Sequence, residues 1–487
     1  MSNPAIVHPS EIASNAERAS ALSFEPKGLR TFTPTQAVIS KSQGVFHWTP
    51  ENRRLYDFTS GVLVANLGHN PEKWLKKLFK YMNWPTKGFP ESSSNGKSDL
   101  AYLPALPLTA YNAFTPVESE ASKRLVSLLR RSQGGGRLHQ VMWAASGSEA
   151  IQKALWAAMG RDKTRQMIIA TRHGFHGKKG LSGAVSGSEN DTERDPRVQF
   201  IGFPMKEIHD LDMRNQPFDP QPYRQELDQL KARFGRKLGV LITEPYLGGG
   251  GSYHPPKVYL QMLQHFCREN DIVFILDEVQ ANFGRTSRMF AFEHYELEPD
   301  IVVLGKGLGN GVPVAAAAGR KDLFDALDYG DASDTWSANP LSSAAVLATL
   351  DIFETTNIFE KVAVVSDIIE QGLIQLKQFP FIGAIRGEER GMVWGVETKS
   401  HDGYSANEWA NAFVLACYKG VGGDGIHLLG PLSKKVIRVS PPLTITLEEA
   451  TTAMKLMTDS LKHLHELVSS INRNQPNQSL EFAQPVV

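Results

Sequence analysis

The chain has 487 residues, enough for two domains with substantial cores, and its 52 Lys+Arg balance its 52 Asp+Glu. A formal charge of zero gives no global field for nucleic acid or an anionic membrane, which favours a small-molecule partner. The two cysteines, Cys267 and Cys417, lack CxxC spacing, which argues against a disulfide framework or a thiolate metal site and reads as buried thiols in a reducing compartment.

Residues 1–25 are polar and mixed, and read as a flexible N-terminal arm. Glu11 and Glu17 fall where a secretory signal needs an apolar core. No apolar run approaches the roughly 18 residues of a membrane span, so the cytoplasm is the expected compartment. GVFHWTPENRRLYDFTSGVLVANLGHNP then alternates apolar positions with turns, the pattern of a short meander. The stretch 85–107 is rich in Pro, Ser, Gly and Asn and reads as a surface excursion. Val117, Ala121, Leu125, Leu128 and Leu129 carry helical spacing, which Gly134-Gly135-Gly136 ends.

From Gln140 onward strand, turn and helix patterns alternate: QVMWAA with SEAIQKALWAAM, MIIAT with HGFHG, GVLITEP, VYLQMLQHFCREN with IVFILDE, and IVVLGKG. That alternation predicts a mainly parallel sheet covered by helices. A polar, Pro-bearing stretch at 182–221 reads as an insertion. After Pro340 helical text, a strand-like MVWGVE, a helix over about 406–418 and VIRVSPPLTIT predict a second, smaller α+β unit. The expected organisation is an N-terminal arm to 25, a segment 26–80 that joins the small domain, a large domain over 81–345, a small domain over 346–472, and a frayed tail over 473–487.

The central stretch is LDEVQANFGRT, because the apolar run Val273 to Leu276 stops at Asp277 and Glu278. Such a run reads as a buried parallel strand that delivers Asp277 to its carboxyl end, where open α/β sheets bind ligands. A second apolar run over 300–304 ends at Gly305-Lys306-Gly307. Ser146-Gly147-Ser148-Glu149 joins a strand to a helix, and reads either as a capping box or as an anion cradle at a helix start. Phe175 in HGFHG is compatible with core packing or with stacking on a ligand. His173 and His176 lack a third ligand at zinc spacing. Glu244 stands at another strand end, before four glycines whose open backbone suits a ligand or a mobile loop.

Two phosphate motifs are excluded. No GxxxxGK[ST] surrounds Lys306, and the GxGxxG at Gly420–Gly425 follows a helix pattern instead of linking strand to helix, so it reads as a loop. An anion-binding helix start, an aromatic ring, an Asp and a Lys at strand ends together suit pyridoxal 5'-phosphate. That cofactor needs a Schiff-base lysine, a carboxylate at its pyridine nitrogen and a phosphate cradle.

The motifs DFTSGVLVANLGHNP, SGSEA, GFHG, TEP, LDEVQANFGRT, PDIVVLGKGLGNGVP, TWSANPLSSAA and RVSPPL occur in this order from about Asp57 to Leu443. In this the chain resembles the class III, or ω-amino acid, aminotransferases, the group that contains ornithine, acetylornithine and 4-aminobutyrate aminotransferases. The resemblance implies the aspartate-aminotransferase-like fold (PLP fold type I), with the large domain binding the cofactor. It implies Lys306 as the Schiff-base lysine, Asp277 at the pyridine nitrogen, Gln280 at the phenolic oxygen, and Phe175 and Val279 on the two ring faces. Gly147 and Ser148 would hold the phosphate, with Thr335 reaching the phosphate of the neighbouring subunit in a homodimer with shared sites. His176 and Glu244 would also border the cofactor. Arg438 would bind a substrate carboxylate, with Lys178, Val62 and Tyr111 also facing substrate.

Several positions depart from the family. Lys178 stands where an arginine is common, keeping the charge without the bidentate fork. Gly249 stands where many members carry the acid that masks the carboxylate-binding arginine, Leu247 alters the preceding glycine motif, Asn282 replaces a customary glycine, and Ser287 follows Thr286 where glycine is common. The expected function is transfer of an amino group from an ω-amino acid or related amine to a 2-oxo acid. The alternatives are a decarboxylating transaminase or an aminomutase on the same fold, marked by CO2 release or by no net transfer. A non-catalytic binding protein is disfavoured by the intact Lys306 and Asp277.

Overall fold

The structure, a computed structural model, describes residues 5–87, 103–191 and 194–474. The centre of the expected surface excursion at 85–107 and the tail beyond 474 lie outside these residues.

The N-terminal strands are β1 (Lys41–Gln43), β2 (Phe46–Trp48) and β3 (Arg54–Asp57). Then come β4 (Gln140–Ala144), β5 (Met167–Thr171), β6 (Val198–Ile201), β7 (Leu238–Thr243), β8 (Val273–Asp277), β9 (Ile301–Leu304) and β10 (Ala315–Gly319). The C-terminal strands are β11 (Ile382–Gly387), β12 (Trp394–Thr398), β13 (Gly425–His427) and β14 (Val436–Val439).

The central sheet has seven strands in the order β4-β10-β9-β8-β7-β5-β6. Strands β9, β8, β7, β5 and β6 run parallel, and β10 lies antiparallel to both β9 and β4. Both faces are covered, which is why these strands read as continuous apolar runs. On β8, Val273 and Ile275 join one core while Phe274 and Leu276 join the other. On β9 the split is Ile301 and Val303 against Val302 and Leu304. The helix Gly147–Gly160 packs on the first face with Ala150, Ala154 and Leu155 against Ala315 and Ala317 of β10. Four consecutive alanines, Ala315 to Ala318, admit that close helix, and they hide the strand from a pattern search because alanine favours a helix.

The stretch 182–221, expected as an insertion, contributes β6, the edge strand of the central sheet, together with a short 3-10 turn, so it is built into that sheet. The four residues Val198 to Ile201 are too short to stand out against the polar text around them. Residues Ile12–Phe24 form a helix that the polar composition conceals. It is tied down electrostatically: Glu11 Oε2 accepts from Arg18 Nη2 at 2.5 Å and from Tyr418 Oη at 3.0 Å, and Glu11 Oε1 accepts from Arg53 Nη2 at 2.8 Å.

The meander forms a second sheet, in which β3 pairs in parallel with β13, so residues 41–57 share a sheet with the C-terminal part of the chain. A third sheet, β11-β12-β14, is antiparallel and is packed by the helices Ile358–Gln375 and Ala406–Lys419, against which the helix Leu447–Asn474 lies. After Asp57 the chain makes an unusual turn in which Ser60, Gly61, Val62 and Leu63 have φ of 49°, 57°, 67° and 64°. Left-handed backbone at three non-glycine residues is strained, and strain of this kind gathers at functional sites.

Candidate active site

Parallel neighbours end on the same edge, so β5, β7, β8 and β9 bring the loop His173–Gly177, Glu244, Asp277 and Lys306 together. There Phe175, His176, Gly177, Asp277 and Lys306 border a cavity of about 370 Å³, while Glu244 stands behind its wall and touches it only through Phe175 and Gln280. Its wall includes Ser146, Gly147 and Ser148 at the start of the helix Gly147–Gly160, with Phe175, His176, Asp277, Val279, Gln280 and Lys306. Val64, Val312 and Pro313, which no sequence motif singles out as ligand contacts, complete it.

Asp277 is 4% exposed and held on two sides. Its Oδ2 accepts from His176 Nδ1 at 2.7 Å, and its Oδ1 accepts from the amide of Val279 at 2.9 Å. Burial acts to lower the proton affinity of His176, but the hydrogen bond and charge of Asp277 outweigh it and hold the imidazole above its ordinary value. His176 Nε2 is buried without a hydrogen-bond partner. His176 therefore aims the carboxylate, a role its sequence context conceals because the two residues are 101 positions apart.

Lys306 follows β9 with φ of 48°, a left-handed lysine at a cavity wall. Burial pushes its ammonium down to about 8, against the pull of Asp277. Glu244 Oε2 accepts from the amide of Phe175 at 2.9 Å, and its Oε1 accepts from the amide of Gly248 and from Gln280 Nε2, both at 3.2 Å. Burial pushes this carboxyl up to about 7. Glu244 thus fixes both Phe175 and Gln280.

Arg438, on β14 of the smaller unit, reaches the same place. It is 4% exposed, donates from Nη1 to Gln280 Oε1 at 2.9 Å, and keeps Nε without a partner. Among the described residues no carboxylate pairs with it, and a buried guanidinium without a counter-charge is costly. At Gly249, where an acid would stand, an added Cβ would lie 3.0 Å from Phe175 Cβ, so Phe175 would have to give by a few tenths of an ångström. Tyr246, missed in the sequence although it sits inside ITEPYLGG, donates from its hydroxyl to the Gln280 carbonyl at 3.0 Å.

The residues fit a phosphorylated pyridine aldehyde. Both the capping box and the cradle expected at Ser146 are compatible with the geometry. Ser146 Oγ accepts from the Glu149 amide at 3.3 Å and Glu149 Oε2 accepts from the Ser146 amide at 3.1 Å, while Gly147 and Ser148 border the cavity. The first amides of a helix have no carbonyl one turn earlier, which suits them to an anion. Side chains would fill this cradle: a Cβ at Gly177, where φ is 144°, would lie 2.5 Å from Ser148 Oγ, and one at Gly147 would lie 3.2 Å from Val279 Cγ1.

Other expected site residues lie apart. Val62 is 40% and Tyr111 57% exposed, and neither borders the cavity; Thr335 is also exposed. Lys178 is exposed and borders a neighbouring cavity of about 740 Å³, which adjoins the first at Phe175 and Gly177 and also includes Gly249.

Comparison with known proteins bears on the family and the fold. The family model described as Aminotransferase class-III matches residues 105–461. The chain is 28% identical to the acetylornithine aminotransferase of Bacillus subtilis (strain 168) over 432 residues, covering 87% of this chain and 95% of the relative. It is 27% identical to ornithine aminotransferase 2 of Staphylococcus aureus over 442 residues, covering 90% and 96%. Its fold is similar to that of an (S)-enantioselective omega-transaminase from Thermomicrobium roseum, with a TM-score of 0.76, 22% identity, and 92% and 98% of the two chains covered. The ornithine aminotransferase of Toxoplasma gondii gives a TM-score of 0.74 at 22% identity, with 94% and 97% covered.

Proposed function

Because the chain belongs to the class-III aminotransferases, enzymes that move an amino group with pyridoxal 5'-phosphate, we propose which of its residues carry that reaction and which substrates suit them. The observation that carries the reading is the meeting of Asp277 and Lys306, at the ends of adjacent parallel strands, on one cavity with a helix start.

When bound, the cofactor supplies an aldehyde and a protonated pyridine ring that accepts the electrons released at the substrate carbon. Lys306 is the nucleophile that tethers it and, once released, the base that takes the proton from the substrate carbon and returns it. Its lowered proton affinity suits that work, because an amine titrating near the working pH can both take and give a proton. Asp277, aimed by His176, would hold the pyridine nitrogen and keep it protonated through a charge-assisted hydrogen bond. Phe175 and Val279 would hold the ring, Gln280 its phenolic oxygen, and Gly147 and Ser148 the phosphate.

Arg438 receives a substrate carboxylate. The support is its burial without a counter-charge, together with glycine at position 249. A 2-oxo acid acceptor meets this requirement in one half-reaction and a short ω-amino acid donor in the other, with Lys178 offering a second cation at the adjoining cavity. The working form is a homodimer in which Thr335 completes the partner subunit's phosphate site. The two buried free thiols suit a reducing compartment such as the cytoplasm.

The test is spectroscopic and kinetic. The purified protein is expected to absorb in the visible, and Lys306→Ala is expected to lose both that covalent absorbance and turnover. Steady-state transamination retained by Lys306→Ala would falsify the assignment.

A further inference from the structure

We propose that His47, Asp57 and His69 form a binding site for one divalent transition-metal ion, zinc by preference, beneath the strained turn at Ser60–Leu63. His47 lies on β2, Asp57 ends β3, and His69 stands in the loop that follows the turn. One ligand atom from each lies within 4.8 Å of the others. Two imidazoles and one carboxylate form a common zinc donor set that leaves a fourth position for water.

The distances suit an ion. His69 Nε2 lies 2.7 Å and His47 Nε2 3.6 Å from Asp57 Oδ2. Zinc bonds of about 2.0–2.2 Å at a tetrahedral angle require nitrogen and oxygen to lie roughly 3.3 Å apart, between those two values. Small movements of the two rings would bring all three ligand atoms, now within 4.8 Å of one another, to that spacing.

Supporting contacts orient the ligands. His47 Nδ1 bonds to Ser42 Oγ at 2.7 Å, and with the proton on Nδ1 this leaves the Nε2 lone pair facing Asp57. The other oxygen of Asp57 accepts from the amide and the hydroxyl of Thr59, at 2.8 and 2.7 Å. The backbone of His69 is paired with Gly44 in the turn between β1 and β2, at 2.8 and 2.9 Å. A further imidazole, His427, lies opposite Asp57 in the β3-β13 register with its ring 5.6 Å from that of His47, and its Nδ1 is buried without a partner. His69 is the most accessible of the three ligands, with 18% of its side chain exposed, and provides the way in.

The ion would clamp the meander to the turn. Asp57 anchors Thr59, the next four residues carry the left-handed backbone, and Val64 then borders the cofactor cavity.

The experiment uses the full-length, cofactor-loaded enzyme, stripped with a chelator and desalted. Zinc sulfate is titrated against a chromophoric chelator, and metal content is measured by mass spectrometry after desalting. The parent is expected to retain one zinc per chain and to melt at higher temperature with zinc than without. Ser42→Ala should weaken affinity about 10-fold or more, as loss of a supporting contact to a ligand does. His47→Gln should abolish stoichiometric binding, while His265→Gln, which removes an exposed histidine elsewhere, should leave it intact. No stoichiometric zinc on the parent overturns the site, as does undiminished binding by His47→Gln. If His47→Gln does not fold, unchanged affinity in Ser42→Ala overturns it instead.

Discussion

At the scale of single residues, Lys306 and Arg438 represent two uses of a buried cation. An ordinary lysine stays protonated until about pH 10.4. Burial brings Lys306 to about 8, so its neutral, nucleophilic form grows as pH rises through that value. Enzyme stripped of cofactor should therefore regain its visible absorbance faster as pH increases from 7 to 9, with the rate levelling above 8. A rate that keeps climbing to pH 10 would show that the lysine is not tuned. Arg438 is fixed in charge and short of a counter-ion. A charged contact to a substrate carboxylate contributes about 1.5–3 kcal/mol. The parent should thus convert 4-aminobutyrate faster than putrescine in the half-reaction, and Arg438→Ala should slow 4-aminobutyrate by roughly 10- to 150-fold, the kinetic equivalent of that contact. Faster putrescine conversion that ignores the substitution would sink the carboxylate reading.

At the scale of elements, the site follows from strand order. Because β9, β8, β7 and β5 are parallel neighbours, Lys306, Asp277 and the loop Phe175–Gly177 meet at one edge and line the cavity, with Glu244 behind them. The end of β8 is aimed by the loop after β5, through the 2.7 Å bond from His176 to Asp277. Asp277→Asn preserves shape but removes the charge that, on the proposed reading, would keep the pyridine nitrogen protonated. It should retain part of the cofactor while the half-reaction slows by orders of magnitude. A rate near that of the parent would leave Asp277 with a structural role alone.

At the scale of the whole molecule, one chain exposes apolar surface around the residues expected to serve a partner. Tyr329 is fully exposed, Trp336 is 61% and Phe114 91% exposed, and Thr335 lies beside Trp336. Exposed aromatic rings of this kind mark protein interfaces. The enzyme should sediment as a dimer at assay concentrations, and Thr335→Ala should weaken cofactor retention in a dimer of unchanged mass. An active monomer would rule out the shared site.

Local chemistry is what a sequence carries well. The apolar run into Asp277, the run into Lys306, the small-residue helix start at Gly147 and the alternation of strand and helix each lie within a few consecutive residues, so the parallel sheet and the meeting of Gly147, Asp277 and Lys306 on one cavity could be read from them, whereas Val64, Val312 and Pro313 could not. Only tertiary structure could decide the relations between distant segments. The alanines of β10 favour a helix locally, so both its being a strand and its reversal emerge from its neighbours β4 and β9. The short β6 is a strand because β5 offers it an edge. Arg438 meets Gln280 across 158 positions, His176 meets Asp277 across 101, and His427 comes beside His47 and Asp57 because β13 pairs with β3. Periodicity fixes the face a side chain takes on its own element, whereas its partner depends on how elements pack, which no local pattern encodes.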